Sequence, residues 1–182
     1  NRSAALRSLA RLGVAAQAIR NEIEPIVQSG SANQVLWAKV VLARIDGKPG
    51  EALPAVRAGL ASKSPGERQA AVEALPLMGQ PSAADISALT SLCRDRSPEL
   101  RRVAARSLGE LGRDSQPAVP ELVRLLKSDE DADVRQAAAI ALGSAGDRST
   151  EVLEALKSAE ESDPIVARAA HASRTRLLPP SQ

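Results

Sequence analysis

Covalent and metal chemistry need reactive side chains in groups, and this sequence supplies them singly. It holds one His, His171, and one Cys, Cys93, in 182 residues. A metal site needs several His, Cys or carboxylate ligands converging on one point. A Ser or Cys nucleophile needs a base and an orienting group beside it. Cys93 follows Leu89 and Leu92 on one apolar stripe and reads as a core residue. A single cysteine also excludes an internal disulfide and a cysteine-based zinc site. His171 reads as a solvent-facing side chain. The acidic run Asp129-Glu130-Asp131-Ala132-Asp133 lacks the spacing of a calcium loop. It stands just before a helix, where carboxylates favour the positive end of the dipole. Gly47-Lys48-Pro49-Gly50 reads as a turn, because a phosphate loop would follow a strand and no strand pattern is present. No catalytic, cofactor-binding or metal-binding residue is assigned, and no cofactor is expected.

The residues with binding chemistry are arginines and one tryptophan. Arg68, Arg101 and Arg135 each stand 11 residues before a glycine (Gly79, Gly112, Gly146), and Arg2 stands at the same distance from Gly13. The next position holds Gln69, Arg102, Gln136 and, in one case, Trp37. Trp37 has two readings. Exposed beside Val40 and Val41, it suits a binding hot spot; on a rotated helix it packs between layers instead. Arg94, Arg96, Arg102 and Arg106 cluster in the middle of the chain, and Arg168, Arg174 and Arg176 follow near its end. Such a ridge could meet phosphates. The net charge of +2, from 24 basic and 22 acidic residues, does not announce a nucleic-acid partner. No apolar run reaches the length of a membrane span.

Those glycines punctuate an internal repeat. Leu9-Ala-Arg-Leu-Gly13, Ala43-Arg-Ile-Asp-Gly47, Leu75-Pro-Leu-Met-Gly79, Leu108-Gly-Glu-Leu-Gly112 and Leu142-Gly-Ser-Ala-Gly146 recur at spacings of 34, 32, 33 and 34. A glycine just past an apolar-periodic run stops a helix in the left-handed conformation. Each therefore closes a helix, B, with an apolar stripe such as Leu100, Val103, Ala104, Leu108 and Leu111. Ser31-Ala-Asn-Gln34 and Ser64-Pro-Gly-Glu67 read as capping boxes, and Ser97-Pro98 and Asp163-Pro164 as caps followed by Pro at the first helical position. Ahead of each later B lies a shorter helix, A, anchored by residues such as Leu122, Leu125 and Leu126. Pro25, Pro54 and Pro120 should bend or shorten three of the A helices. With aromatics at 1%, Ala, Leu and Val must fill the interior, which suits thin layers of closely packed helices.

Helix pairs of about 33 residues with runs such as Val134-Arg-Gln-Ala-Ala-Ala-Ile-Ala-Leu-Gly143 and Leu100-Arg-Arg-Val-Ala-Ala-Arg-Ser-Leu-Gly109 resemble HEAT repeats, closest to the short bacterial HEAT-like type. The resemblance implies an all-α fold, a right-handed α-α superhelix of about five hairpins plus a leading half repeat, with B helices inside. It implies that the recurrent arginine pairs with an Asp near the preceding turn and forms a ladder between layers. The paired His-Glu motifs of HEAT-like hydroxylases are absent, as are the aromatics of HEAT-like DNA glycosylases. The expected organisation is one domain, 1–182, divided as 1–13, 14–47, 48–79, 80–112, 113–146 and 147–182. Because Arg2 to Gly13 reads as a B helix without its A partner, the chain is expected to be part of a longer polypeptide. The expected function is non-enzymatic: a protein or peptide docks on the concave B-helix face through Trp37, Arg68, Gln69, Arg101, Arg102, Arg106, Arg135 and Gln136. Two alternatives stay open, a phycobilin-lyase-like protein and a basic nucleic-acid-binding solenoid.

Overall fold

Capping side chains and stop glycines set the helix limits in the computed structural model, which describes residues 2–178. Pro179 and Pro180, which follow the last B helix in the sequence, lie outside them. The helices are α1 (Arg2–Leu12), α2 (Arg20–Ile23), α3 (Ile26–Ser29), α4 (Ala32–Ile45), α5 (Leu53–Leu60), α6 (Pro65–Ala74), α7 (Ala83–Leu92), α8 (Pro98–Leu111), α9 (Val119–Ser128), α10 (Ala132–Ala145), α11 (Thr150–Ala159) and α12 (Pro164–Leu177). No strand occurs among the described residues.

Ser31 and Gln34 form the expected reciprocal capping box at the start of α4. The box expected at Ser64 is only half made. Its side chain accepts from the Glu67 N–H, but the Glu67 carboxylate takes the Ser62 hydroxyl at 2.7 Å instead. The reason is local: Ser62 Oγ already accepts the Ser64 N–H, so that donor needs no help from Glu67. Helix α10 begins earlier than Asp133, because Asp131 accepts the N–H groups of both Asp133 and Val134. Pro25 separates α2 from α3, so the first A helix is two four-residue pieces. Pro54 and Pro120 sit in the first turns of α5 and α9, where a missing N–H costs nothing.

All five stop glycines have positive φ. Gly146 takes the expected left-handed conformation, at φ 73 and ψ 15. Gly112 does not: at φ 58 and ψ −126 it occupies a region closed to residues with a Cβ.

The chain divides between Pro81 and Ser82 into two compact units. In the first, α4 packs against α1 and α6, α3 packs on α4, and α5 packs on α6. In the second, α10 lies between α8 and α12, while α7, α9 and α11 back α8, α10 and α12. Each unit is thus a row of B helices with a row of A helices behind it. The core is aliphatic: Leu75, Leu89, Leu108, Leu122, Leu125, Leu142 and Leu156 are fully buried, each contributing about 1.5–3 kcal/mol of transfer free energy. Cys93 is buried among them, and burial, with the Glu121 charge, pushes its thiol up to about 12. On α1, Leu6 is buried but Leu12 stays 58% exposed, so its stripe is covered only in part. Small residues set the spacing of the B row. A Cβ on Gly143 would lie 2.7 Å from Ser173 Cβ, and one on Gly109 would lie 3.1 Å from Ala141 Cα.

Candidate functional site

The recurrent arginines form the interlayer ladder, with a partner on the other side from the one expected. Arg101 is buried and holds Asp129 through two parallel bonds, Nε to Oδ2 at 2.8 Å and Nη2 to Oδ1 at 2.9 Å. Its Nη1 donates to the Asp95 carbonyl in its own preceding turn. Arg135 repeats the pattern one layer on, with Nη2 to Asp163 Oδ2 at 2.7 Å and Nη1 to the Asp129 carbonyl. The preceding turn therefore supplies only carbonyls, and the carboxylate comes from the following layer. Burial pushes the Asp129 carboxyl up, but the bonds from Arg101 and from the Asp131 N–H outweigh it and hold it below its ordinary range. The hydrogen bond from Arg135 likewise lowers Asp163. Arg68 uses Nη1 on the carbonyls of Ser62 and Lys63. The acidic run is thus structural: Asp129 closes the ladder and Asp131 caps α10.

Trp37 is packed, at 3% exposure, so it presents no exposed indole to a partner. It shares the lining of one groove with small residues of the flanking helices, Ala4, Gly66 and Ala70. Above them Arg7 of α1 donates to the buried Glu73 of α6 at 2.7 Å. Gln69 bonds the same carboxylate at 3.3 Å. The B row of the first unit thus keeps only a smaller groove, of about 180 Å³, with Arg7, Gln69 and Glu73 in its lining.

The second unit keeps its B row open. A groove of about 410 Å³ between α8 and α10 is lined by Arg102, Arg106, Gln136, Ile140 and Ala141. A second, of about 540 Å³ between α10 and α12, is lined by Gln136, Ile140, Ile165, Ala169, Arg168 and Arg176. The two share Asp133, Gln136 and Ile140 and so make one corrugated surface across three helices. Ile140 and Ile165 are 47% and 46% exposed. Arg102 leans on Glu99 at 2.7 Å, one turn away. The sequence reading placed Arg102, Arg106 and Gln136 here but missed both isoleucines. The signal at Ile140 is partial: six residues before the stop glycine, three of the other four repeats carry Arg7, Glu73 or Arg106 and the fourth carries Val41.

The rest of the expected basic ridge divides. Arg94 belongs to a groove between α7 and α9, where it donates to Glu121 at 2.7 Å. Arg174 pairs with Glu160 at 2.6 Å. His171 is solvent-facing, 3.4 Å from Glu160. Among the described residues no three His, Cys, Asp or Glu side chains gather as a metal site would require. No helix there is long and apolar enough to cross a membrane.

Residues 86–174 match the family model for HEAT repeats. No curated protein matches the chain. Among solved structures, a designed armadillo repeat protein in complex with the peptide (KR)4 is 19% identical, with 96% of this chain and 92% of that one covered and a TM-score of 0.65. A second designed armadillo repeat protein is also 19% identical, with 97% and 93% covered and a TM-score of 0.62. An engineered protein is 21% identical, with 96% and 89% covered and a TM-score of 0.58. At such identities the likeness is one of fold. The family match over residues 86–174 is thus to HEAT repeats, and the all-α fold is similar to that of the armadillo-type helical-repeat proteins.

Proposed function

We propose that this chain is a non-enzymatic interaction or scaffolding module that takes a protein or peptide on the open B row of its second unit. The observation that carries the reading is the pair of half-exposed isoleucines, Ile140 and Ile165, in adjoining grooves rimmed by arginine. Aliphatic side chains left in water on a small-residue floor are stabilised when a partner covers them. In this reading Arg102, Arg106 and Gln136 face the partner, while Arg101 and Arg135 hold the layers in register. Arg68, Gln69 and Trp37 serve the first unit's own packing. A protein of similar fold is in complex with a peptide, which supports the reading.

The test is selection of displayed random peptides on the whole chain, followed by affinity measurement on two variants. Ile140→Asp should weaken the selected peptides at least tenfold, while Ser87→Asp, on the α7–α9 groove, should leave them unchanged. Peptides indifferent to Ile140→Asp, or failure to enrich any peptide, would remove the reading.

A further inference from the structure

The α10–α12 groove carries a charge pattern that its neighbours lack. Helix α12 contains no Asp or Glu. On α8, α10 and α12, five arginines have carboxylate partners: Arg101 with Asp129, Arg102 with Glu99, Arg106 with Glu110, Arg135 with Asp163 and Arg174 with Glu160. Arg168 and Arg176 are different. Both are exposed, both line the groove, and neither makes an ion pair among the described residues. They stand eight residues apart on one helix, about 12 Å along its axis. Beside them lie Ile140, Ile165, Ala169 and Ala172, and one acid, Asp133, sits at the rim.

Resting on the B-row reading above, we infer that the occupant of this groove is an acidic–aliphatic segment of a protein partner: aliphatic side chains covering Ile140 and Ile165, and two carboxylates about 12 Å apart meeting Arg168 and Arg176. A guanidinium without an intramolecular carboxylate keeps its donor fork available for a bidentate carboxylate. An extended chain places side chains four residues apart at about 13 Å, close to the arginine spacing. Alternation of aliphatic and acidic residues supplies one row of each, with carboxylates recurring at that spacing. Nucleic acid fits less well. Its phosphates would meet the arginines, but the isoleucines would stay uncovered, and no residue lining the groove has an aromatic ring on which a base could stack.

The probes are labelled peptides of about ten residues that alternate Leu with Glu, Leu with Lys, or Leu with Ser, and a thymidine oligonucleotide of similar length, read by fluorescence anisotropy on the whole chain. The Leu–Glu peptide should bind at least tenfold more tightly than the other three. The doubly substituted variant Arg168→Glu, Arg176→Glu should erase that preference with its circular dichroism unchanged. Should the reversal lower helicity, Arg168→Gln with Arg176→Gln serves in its place. Equal affinity for the Leu–Glu and Leu–Ser peptides overturns the inference, as does a Leu–Glu affinity that survives the arginine substitutions. Tighter binding of the oligonucleotide overturns it in favour of nucleic acid. The outcomes separate from those above: display-selected peptides that lose affinity in Ile140→Asp but ignore Arg168 and Arg176 leave the module reading standing and remove only its acidic partner.

Discussion

At the scale of residues, the buried pair of Arg101 and Asp129 is the strongest polar tie between layers. Removing Asp129 leaves the buried Arg101 guanidinium only the exposed Glu130 carboxylate at 3.4 Å, and breaking a buried pair costs about 3–5 kcal/mol. Asp129→Ala should therefore lower the stability measured by urea unfolding by about that much, and a loss under ~1 kcal/mol would show the pair to be ornamental. The same carboxyl sets a pH dependence. Its folded-state pKa is lowered, so the folded protein holds this group deprotonated more readily than the unfolded chain does. The resulting stability is fully present above the ordinary carboxylate range and is lost as pH falls through the folded value, on the acid side of about 4. The stability gap between the native chain and Asp129→Asn should thus be widest near neutrality and close toward pH ~2; a gap independent of pH would contradict it. The arginine register was plain in the sequence, because recurrence at fixed distance from a glycine needs no structure to see. The partner was misassigned. An acid lies in the turn before Arg101 and another in the matching turn of the next layer, and only the stacking of layers decides which carboxylate is reached.

At the scale of elements, stops, caps and proline effects were legible because each is a local backbone requirement. The stretches Gly13–Ile19, Leu75–Met78 and Gly112–Ala118 were not read as 3₁₀ helix, since their tightening follows from how adjacent helices join. The close approach at Gly143 was also hidden, because the residue it touches, Ser173, lies one repeat away. Gly143→Val should cost about 2–3 kcal/mol through overpacking and lost helix propensity. Gly50→Ala, where a Cβ meets nothing within 4 Å, should stay within about 0.5 kcal/mol. Thermal melts of the two variants compare them directly, and equal shifts would discount the close approach. The interrupted helices α2 and α3 have four residues each. Their amides should exchange with deuterium far faster than those of α10, whose residues Ala138, Ala139, Ala141 and Leu142 are fully buried.

At the scale of the molecule, the helical-repeat fold could be read from the sequence almost entirely, because a period near 33 with aliphatic stripes has few physical solutions. The open surface could not. Whether a B-helix position faces water depends on what the flanking helices carry: Arg7 and Glu73 pair beside α4, whereas Arg168 and Arg176 stand clear beside α10. One feature of the first unit also governs how this protein can be observed. Trp37 is the only aromatic side chain in the chain, and it is packed there. Intrinsic fluorescence therefore monitors one unit, while the helical far-ultraviolet signal sums both. With its fragmentary A helices and partly uncovered α1, that unit should loosen at the lower denaturant concentration, so the emission midpoint should precede the ellipticity midpoint. The native tryptophan is in effect a resident label for the weaker half.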